Sequence, residues 1–199
     1  EKGANVNAAD KQGKTAFFHQ CLGAESRNRV SAILKLLIAK GANVNAKTLK
    51  GETMLMSAAD QSTAEVVRIL LDKGAEVNAR DSRGYMALLT ALTTHYYKSD
   101  VVRILLDRGA DVNAVASSGL TPLMCAYEPE FMRMLIDRRA DIHAVDDQGR
   151  SVLFHHGRTM QTARILVETG ARPQRNEPIA MHAVGGDFPC FDCAILFLD

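Results

Sequence analysis

The sequence predicts an all-α solenoid, in which helix-turn-helix units stack side by side and extended β-turn connectors join each unit to the next. Two observations predict this fold class. A glycine motif, spelled KGANVNA from Lys2 and Lys40 and KGAEVNA from Lys73, recurs about every 33 residues, and a second glycine box follows each copy in step. A unit of this length can bury its apolar side only against a neighbouring copy, so the repeats predict a stack.

The glycine motif marks the end of a helix. In VVRILLDKG the apolar residues Val66, Val67 and Leu70 lie at helical spacing, and the polar residues fall between them. Gly74 follows, and a glycine without a Cβ favours the left-handed conformation that ends a helix. In the VNA portion the asparagine amide is expected to bond neighbouring connector backbone. Further copies are GADVNA from Gly109, a worn RADIHA from Arg139 and a remnant GARPQR from Gly170.

The second box marks the start of the next helix. Thr121 and Pro122 in GLTPLM suit the N-cap and the first helical turn, because the hydroxyl accepts a backbone N–H and proline has none to leave unpaired. Small residues such as Ala58 and Ala91 then allow neighbouring helices to approach closely. The copies of the box are GKTAFF from Gly13, GETMLM from Gly51, GYMALL from Gly84, GLTPLM from Gly119 and GRSVLF from Gly149.

These two motifs, in phase over nearly the whole chain, resemble those of the ankyrin-repeat family, whose box reads G-x-T-P-L-H. The resemblance implies one ankyrin-repeat domain over residues 1–199, and the chain starts and stops inside a unit, so we expect a fragment of a longer protein. Insertions fall in CLGAESRNRVSA and TTHYYKSD, and the helix connections are short at YEPE and GRTM. The expected units are a repeat tail at 1–9, repeats at 10–47, 48–80, 81–115, 116–145 and 146–175, and an atypical partial repeat at 176–199.

Composition excludes several classes of function. Lys and Arg number 24 and Asp and Glu 23, so the net charge of +1 is too small to indicate nucleic acid or an anionic membrane surface as the partner. No apolar run reaches the roughly 18 residues of a membrane span. The four scattered cysteines favour reduced thiols and therefore a cytoplasmic location, with secretion into a host cell left open.

The sequence does not predict an enzyme, and it predicts no cofactor and no metal site. It contains no G-x-S-x-G, H-E-x-x-H, G-x-G-x-x-G or phosphate-binding loop. The pair Cys190 and Cys193 lacks two further zinc ligands, and packing or a chance occurrence near the end of the sequence explains it better. His155 and His156 diverge by about 100° on a helix, so they do not face one metal. His155 matches His19 in the first helix of another unit, which indicates a structural column.

The resemblance implies that a partner binds the concave surface, which connector tips and the exposed side of the first helices form. Basic residues on adjacent tips predict a stripe beside apolar ones, suited to a protein or peptide with acidic and apolar side chains. The HYY loop at 95–97 adds aromatic anchors, although one tyrosine could instead cover the turn. The predicted partner-binding residues are Lys47, Leu49, Lys50, Arg80, Arg83, Tyr85, Thr94, Tyr96, Tyr97 and Leu120.

The predicted function is therefore a non-catalytic protein-protein interaction module with no small-molecule substrate. An alternative is that the chain is a scaffold, targeting or regulatory segment of a larger enzyme, toxin or secreted bacterial effector. The VNA asparagines are also of the kind that can be hydroxylated in ankyrin proteins, although their structural role explains them sufficiently.

Overall fold

The computed structural model describes residues 4–21, 27–61, 64–94, 99–156 and 160–172. The chain divides into two compact units, Glu1–Asp111 and Val112–Asp199, and each is built of helical hairpins. Several sequence predictions lie outside the described residues, among them the contacts of the HYY loop, the partial repeat at 176–199 and the packing of the cysteine pair near the end of the chain.

The first unit is a stack of hairpins in two rows. Helices α1, α3 and α5 pack in one row, and α2, α4 and α6 pack in the other. Each first helix also packs on the helix that follows it, as α3 does on α4. The predicted stacking is therefore confirmed in this unit. The described helices are α1 (Ala16–Cys21), α2 (Arg27–Ala39), α3 (Met54–Gln61), α4 (Ala64–Asp72), α5 (Ala87–Thr93) and α6 (Ser99–Asp107).

The second unit has the same arrangement with shorter first helices. Helix α7 packs on α9 and α8 packs on α10, while α7 with α8 and α9 with α10 form the hairpins. The short YEPE connection ends α7 after four residues, and Pro129 occupies the first turn of α8. The described helices are α7 (Pro122–Cys125), α8 (Pro129–Asp137), α9 (Val152–His156) and α10 (Met160–Glu168).

The apolar positions of the repeat form the core. In α4, Val66, Val67 and Leu70 are buried, whereas Arg68 and Asp72 are exposed, as the helical spacing predicts. Burying one such apolar side chain stabilises the fold by about 1.5–3 kcal/mol. The small residues are also confirmed as packing positions: Ala58 and Ala91 in the first unit are 2% and 1% exposed.

The predicted helix ends are present. Gly74 has a φ of +84°, and the N–H of Ala75 donates to the carbonyl of Leu70 at 2.9 Å, which closes the last turn of α4. In the second unit, Thr121 Oγ1 accepts the N–H of Met124 at 3.4 Å at the start of α7. Both signals were local, so the sequence alone was sufficient to predict them.

The connectors between successive repeats are extended and contain isolated β-bridges. The structure shows no strand among the described residues. A single antiparallel pair closes each of three β-turns, which matches the predicted β-turn connectors. The paired residues are Ala9 with Thr15, Lys47 with Thr53, and Val145 with Ser151.

The VNA asparagines join successive connectors. Asn45 Nδ2 donates to the carbonyl of Gly74 at 3.0 Å, and its Oδ1 accepts the N–H of Glu76 at 2.9 Å. One amide thereby satisfies two backbone groups of the next repeat, as the sequence predicted. The same two bonds are made by Asn7 and Asn78 within the first unit and by Asn113 within the second.

Candidate functional site

The candidate site lies on the connector tips, which we define as residues 10–14, 48–52 and 81–85 in the first unit and 116–120 and 146–150 in the second. Backbone hydrogen bonds join neighbouring tips within a unit. The N–H of Leu49 donates to the Gln12 carbonyl at 3.0 Å, and the N–H of Ser82 donates to the Lys50 carbonyl at 2.9 Å. The tips are thus held in place by their neighbours, which lowers the ordering cost of binding.

An aspartate organises the tip at residues 81–85. Asp81 Oδ1 accepts the N–H groups of Arg83 and Tyr85 at 2.9 and 2.8 Å, and Oδ2 accepts from the Arg83 guanidinium at 2.9 Å. Asp10 and Asp146 accept the equivalent backbone bonds, and Thr48 does so with its hydroxyl. These residues hold the tips in shape.

Sequence reasoning missed this role of the aspartates. The signal was available, because DKQG, DSRG and DDQG each place an aspartate three residues before the glycine of the second box. An Asp at that position can accept backbone N–H groups within its own turn.

Arg83 is held on two sides. Its guanidinium carbon lies 4.9 Å from the centroid of the Tyr85 ring, and its nitrogens bond Asp81. The hydrogen bond to Asp81 raises the pKa of Arg83, and the charges of Asp81 and Glu52 raise it further, opposed by desolvation. Arg83 therefore presents a partly neutralised cation with a fixed orientation.

The other basic residues of the predicted stripe differ in their surroundings. Arg80 lies 4.0 Å from a carboxylate oxygen of Asp111 within the first unit. Lys47 and Lys50 are exposed on either side of Leu49, which is 80% exposed. The tip at 48–52, with Lys47 just before it in the chain, therefore offers an exposed apolar side chain and two cations near it in sequence, while the pairings of Arg83 and of the neighbouring Arg80 reduce the basic character around the next tip.

A groove of about 450 Å³ lies beside these tips in the first unit. It brings together three of the predicted residues, Arg83, Tyr85 and Thr94, with side chains of α3 and α5. Lys47, Leu49, Lys50 and Arg80 lie outside its lining. The lining residues are Glu52, Met56, Ser57, Asp60, Gln61, Asp81, Arg83, Tyr85, Thr90, Thr93 and Thr94.

Leu120, the predicted site residue of the second unit, is half-buried on the tip at 116–120. On the next tip, Asp146 is fully buried and bonds Arg150 at 2.6 Å and His155 at 3.1 Å. Burial alone raises the pKa of Asp146, but the Arg150 side chain, backbone N–H groups and His155 outweigh burial and lower it to about 2. Tyr96 and Tyr97 lie outside the described residues, so their role stays a prediction.

The histidines and the described buried cysteine have structural surroundings. His19 Nε2 lies 3.1 Å from Asp10, as His155 Nε2 does from Asp146, so these two histidines occupy one repeated position. Burial raises the pKa of the Cys125 thiol to about 11, which disfavours the reactive thiolate. Within the described part of the chain, no three His, Cys, Asp or Glu residues are grouped to hold a metal.

Comparison with known proteins agrees with the repeat geometry. A family model of ankyrin repeats in three copies matches residues 1–81 and 22–116, and a model of a single ankyrin repeat matches residues 118–147. The chain belongs to the ankyrin-repeat family. Ankyrin repeats are in general protein-protein interaction modules and are typically non-catalytic. No curated protein shows significant similarity to the chain.

The structure also bears on membrane insertion. Among the helices within the described residues, none is both long enough and apolar enough to cross a bilayer.

Proposed function

We propose that this chain is a non-catalytic module that binds a partner protein or peptide through the connector tips and first helices of its first unit. The observation that carries the proposal is Leu49, a large apolar side chain that is 80% exposed on a tip held by backbone bonds. An exposed leucine on a rigid support is suited to anchor a partner, because its burial releases water while the backbone loses little freedom.

The proposed surface combines this anchor with polar contacts. The exposed Lys47 and Lys50, near Leu49 in the chain, suit carboxylates of the partner, which charge attraction steers toward the surface. Arg83 and Tyr85 form the adjacent stacked pair, and arginine and tyrosine are frequent anchors of interfaces. The remaining proposed contact residues are Arg80, Thr94, Tyr96 and Tyr97, with Leu120 as a separate contact of the second unit.

We place the module inside the cell. This part of the proposal rests on the scattered cysteines of the sequence and on Cys125, which is free and buried.

Capture of partners followed by mass spectrometry and a binding titration tests the docking surface. We expect Leu49→Ala to weaken the affinity for a captured partner by about tenfold or more, because truncating a central anchor costs more than about 1 kcal/mol. A double variant, Arg83→Ala with Tyr85→Ala, is expected to weaken the same complex.

Leu36→Ala is the matched control. Leu36 is 57% exposed, but it lies on α2, in the other row of helices. We expect this variant to bind the partner as the unchanged chain does. Unchanged affinity in the Leu49 variant together with lost affinity in the Leu36 variant would move the binding surface to the second helices and contradict the proposal.

A further inference from the structure

We propose that the groove beside the connector tips takes a cationic side chain, a lysine or arginine, of the bound protein or peptide. This inference rests on the proposed function and names the chemistry of the partner at one position. It differs from the acidic partner that the basic residues of the sequence suggested, because Lys47, Lys50 and Arg80 lie outside the groove lining and Arg83 is paired with Asp81.

The charges of the lining favour a cation. Three carboxylates, those of Glu52, Asp60 and Asp81, line the groove, and Arg83 is the lining's one basic side chain among the described residues. Arg83 bonds Asp81 at 2.9 Å, so that pair is locally neutral, and Glu52 adds a further negative charge to the lining. A carboxylate of a partner would enter against like charge.

The hydrogen-bonding groups of the lining favour the same choice independently. The hydroxyls of Thr90, Thr93 and Thr94 donate to carbonyls of α5, to Met86 at 3.1 Å, to Leu89 at 3.0 Å and to Ala91 at 3.3 Å respectively. With their protons directed to the helix, these oxygens retain only acceptor capacity toward the groove.

Lysine and arginine side chains carry donors and no acceptors, so they suit a lining of carboxylates and acceptor hydroxyls. Their aliphatic stems also have suitable neighbours, because the half-buried Tyr85 ring and the buried Met56 thioether belong to the same lining. A groove of about 450 Å³ lies within the size range of ligand pockets, so it can admit the whole side chain.

Selection of a random-peptide library on the intact chain tests this inference. We expect the enriched peptides to share a lysine or arginine, and we expect its replacement by norleucine to weaken binding by about tenfold or more. Glu52→Gln should weaken the same peptide to a similar degree. The matched control is Glu76→Gln, a change of an exposed glutamate on a connector outside the groove lining, which should leave the affinity unchanged.

A charge exchange sharpens the test. Glu52→Lys should abolish binding of the selected peptide and restore binding of a version in which its cation is replaced by glutamate. This rescue is not expected of a residue that only supports the fold.

The outcomes separate this inference from the proposed function. Enriched peptides without a shared cation whose binding depends on Leu49 and Arg83 would overturn the inference and leave the docking surface in place. Peptides whose affinity is unchanged by both Leu49→Ala and Glu52→Gln would contradict the inference and the proposed surface together.

Discussion

Arg139 ends helix α8 in a conformation that glycine adopts elsewhere in the repeats. Its φ of +65° is the single positive value among the described residues other than glycine. A Cβ in this conformation costs about 1 kcal/mol, because it crowds the neighbouring carbonyl. In the divergent motif RADIHA, Arg139 therefore adopts the same positive φ angle as the glycine of GADVNA, and this lowers the stability of the fold. The surrounding repeat determines the φ angle.

The first prediction follows from this strain. Arg139→Gly should raise the free energy of unfolding by up to about 1 kcal/mol, as measured by urea denaturation. Arg139→Ala is the control, because it removes the long side chain but keeps the Cβ, and it should leave stability nearly unchanged. Equal stabilisation by both variants would attribute the effect to the arginine side chain.

His156 is a buried titratable residue in a position where three other repeats have alanine. It is 2% exposed, and its Nε2 lies 2.7 Å from the carbonyl oxygen of Leu123, the second residue of the short helix α7. The ring of Tyr127 packs edge-on against the imidazole, with 5.7 Å between the two ring centroids. Burial lowers the pKa of His156 to about 4, against an opposing effect of the Leu123 carbonyl.

The second prediction concerns the pH dependence of stability. Because the pKa of His156 is about 4 in the fold and 6.5 without its surroundings, the unfolded chain binds the proton first as pH falls. Neutral His156 makes its whole contribution to the free energy of unfolding above pH 6.5. The free energy of unfolding should fall by on the order of 3 kcal/mol between pH 6.5 and 4. Urea denaturation at several pH values measures this loss.

Two substitutions test whether His156 causes the loss of stability at low pH. His156→Gln keeps an amide donor for the Leu123 carbonyl and should remove the loss between pH 6.5 and 4, whereas His155→Gln should retain it. Asp146 acts in a lower window, because its pKa falls from 3.8 to about 2 and its contribution disappears only as pH falls through that range. A loss unchanged in His156→Gln would be evidence against this account.

At the scale of elements, the connector glycines have unequal neighbours. Gly119 and Gly149 both belong to the second unit and have φ values of +75° and +73°. A Cβ on Gly119 would lie 2.3 Å from the backbone nitrogen of Asp147, but a Cβ on Gly149 would meet nothing within 4 Å among the described atoms. Within the described residues, Gly119 therefore also permits the close approach of the next tip.

This contrast gives the third prediction. Gly149→Ala should lower the free energy of unfolding by about 1 kcal/mol, because the φ angle at this position is positive. Gly119→Ala should cost at least about 1 kcal/mol more, because the tips must separate as well. Urea denaturation of the two variants measures the difference, and equal losses would show that the tips adjust without cost.

The same elements show what sequence patterns predict well. Gly74 and Thr121 were correctly assigned to helix boundaries, since capping depends on neighbouring residues of the chain. The shortening at YEPE was predicted as a short connection, and in the structure it also leaves α7 with four residues. How a deletion divides between helix and loop depends on packing, which local pattern does not specify.

At the scale of the molecule, the first unit consists of hairpins that bury their apolar sides against one another. Helices α3 and α5 are in contact along one row, and α4 and α6 along the other. An isolated hairpin lacks both neighbours and leaves Leu55, Leu70 and similar side chains in water. Stability in such a stack depends on contact between adjacent repeats.

The fourth prediction is a comparison of fragments. Residues 1–111, which include the whole first unit, should show helical circular dichroism and a cooperative unfolding transition. Residues 48–80, with a single hairpin, should be largely unstructured, because short helices are marginal in water without a packing partner. A fully helical 48–80 fragment would contradict the dependence on neighbouring repeats.

The sequence alone determined the repeat length, the helical hairpins and their glycine turns, because these follow from local periodicity and backbone sterics that recur in each copy. Only the tertiary structure decided the character of the candidate site. Glu52 and Asp60 are well separated along the chain from Tyr85 and Thr94. All four line the same groove because α3 packs on α5. Charge and hydrogen-bonding capacity depend on such distances, so a count of basic residues on the tips did not reveal an acidic groove beside them.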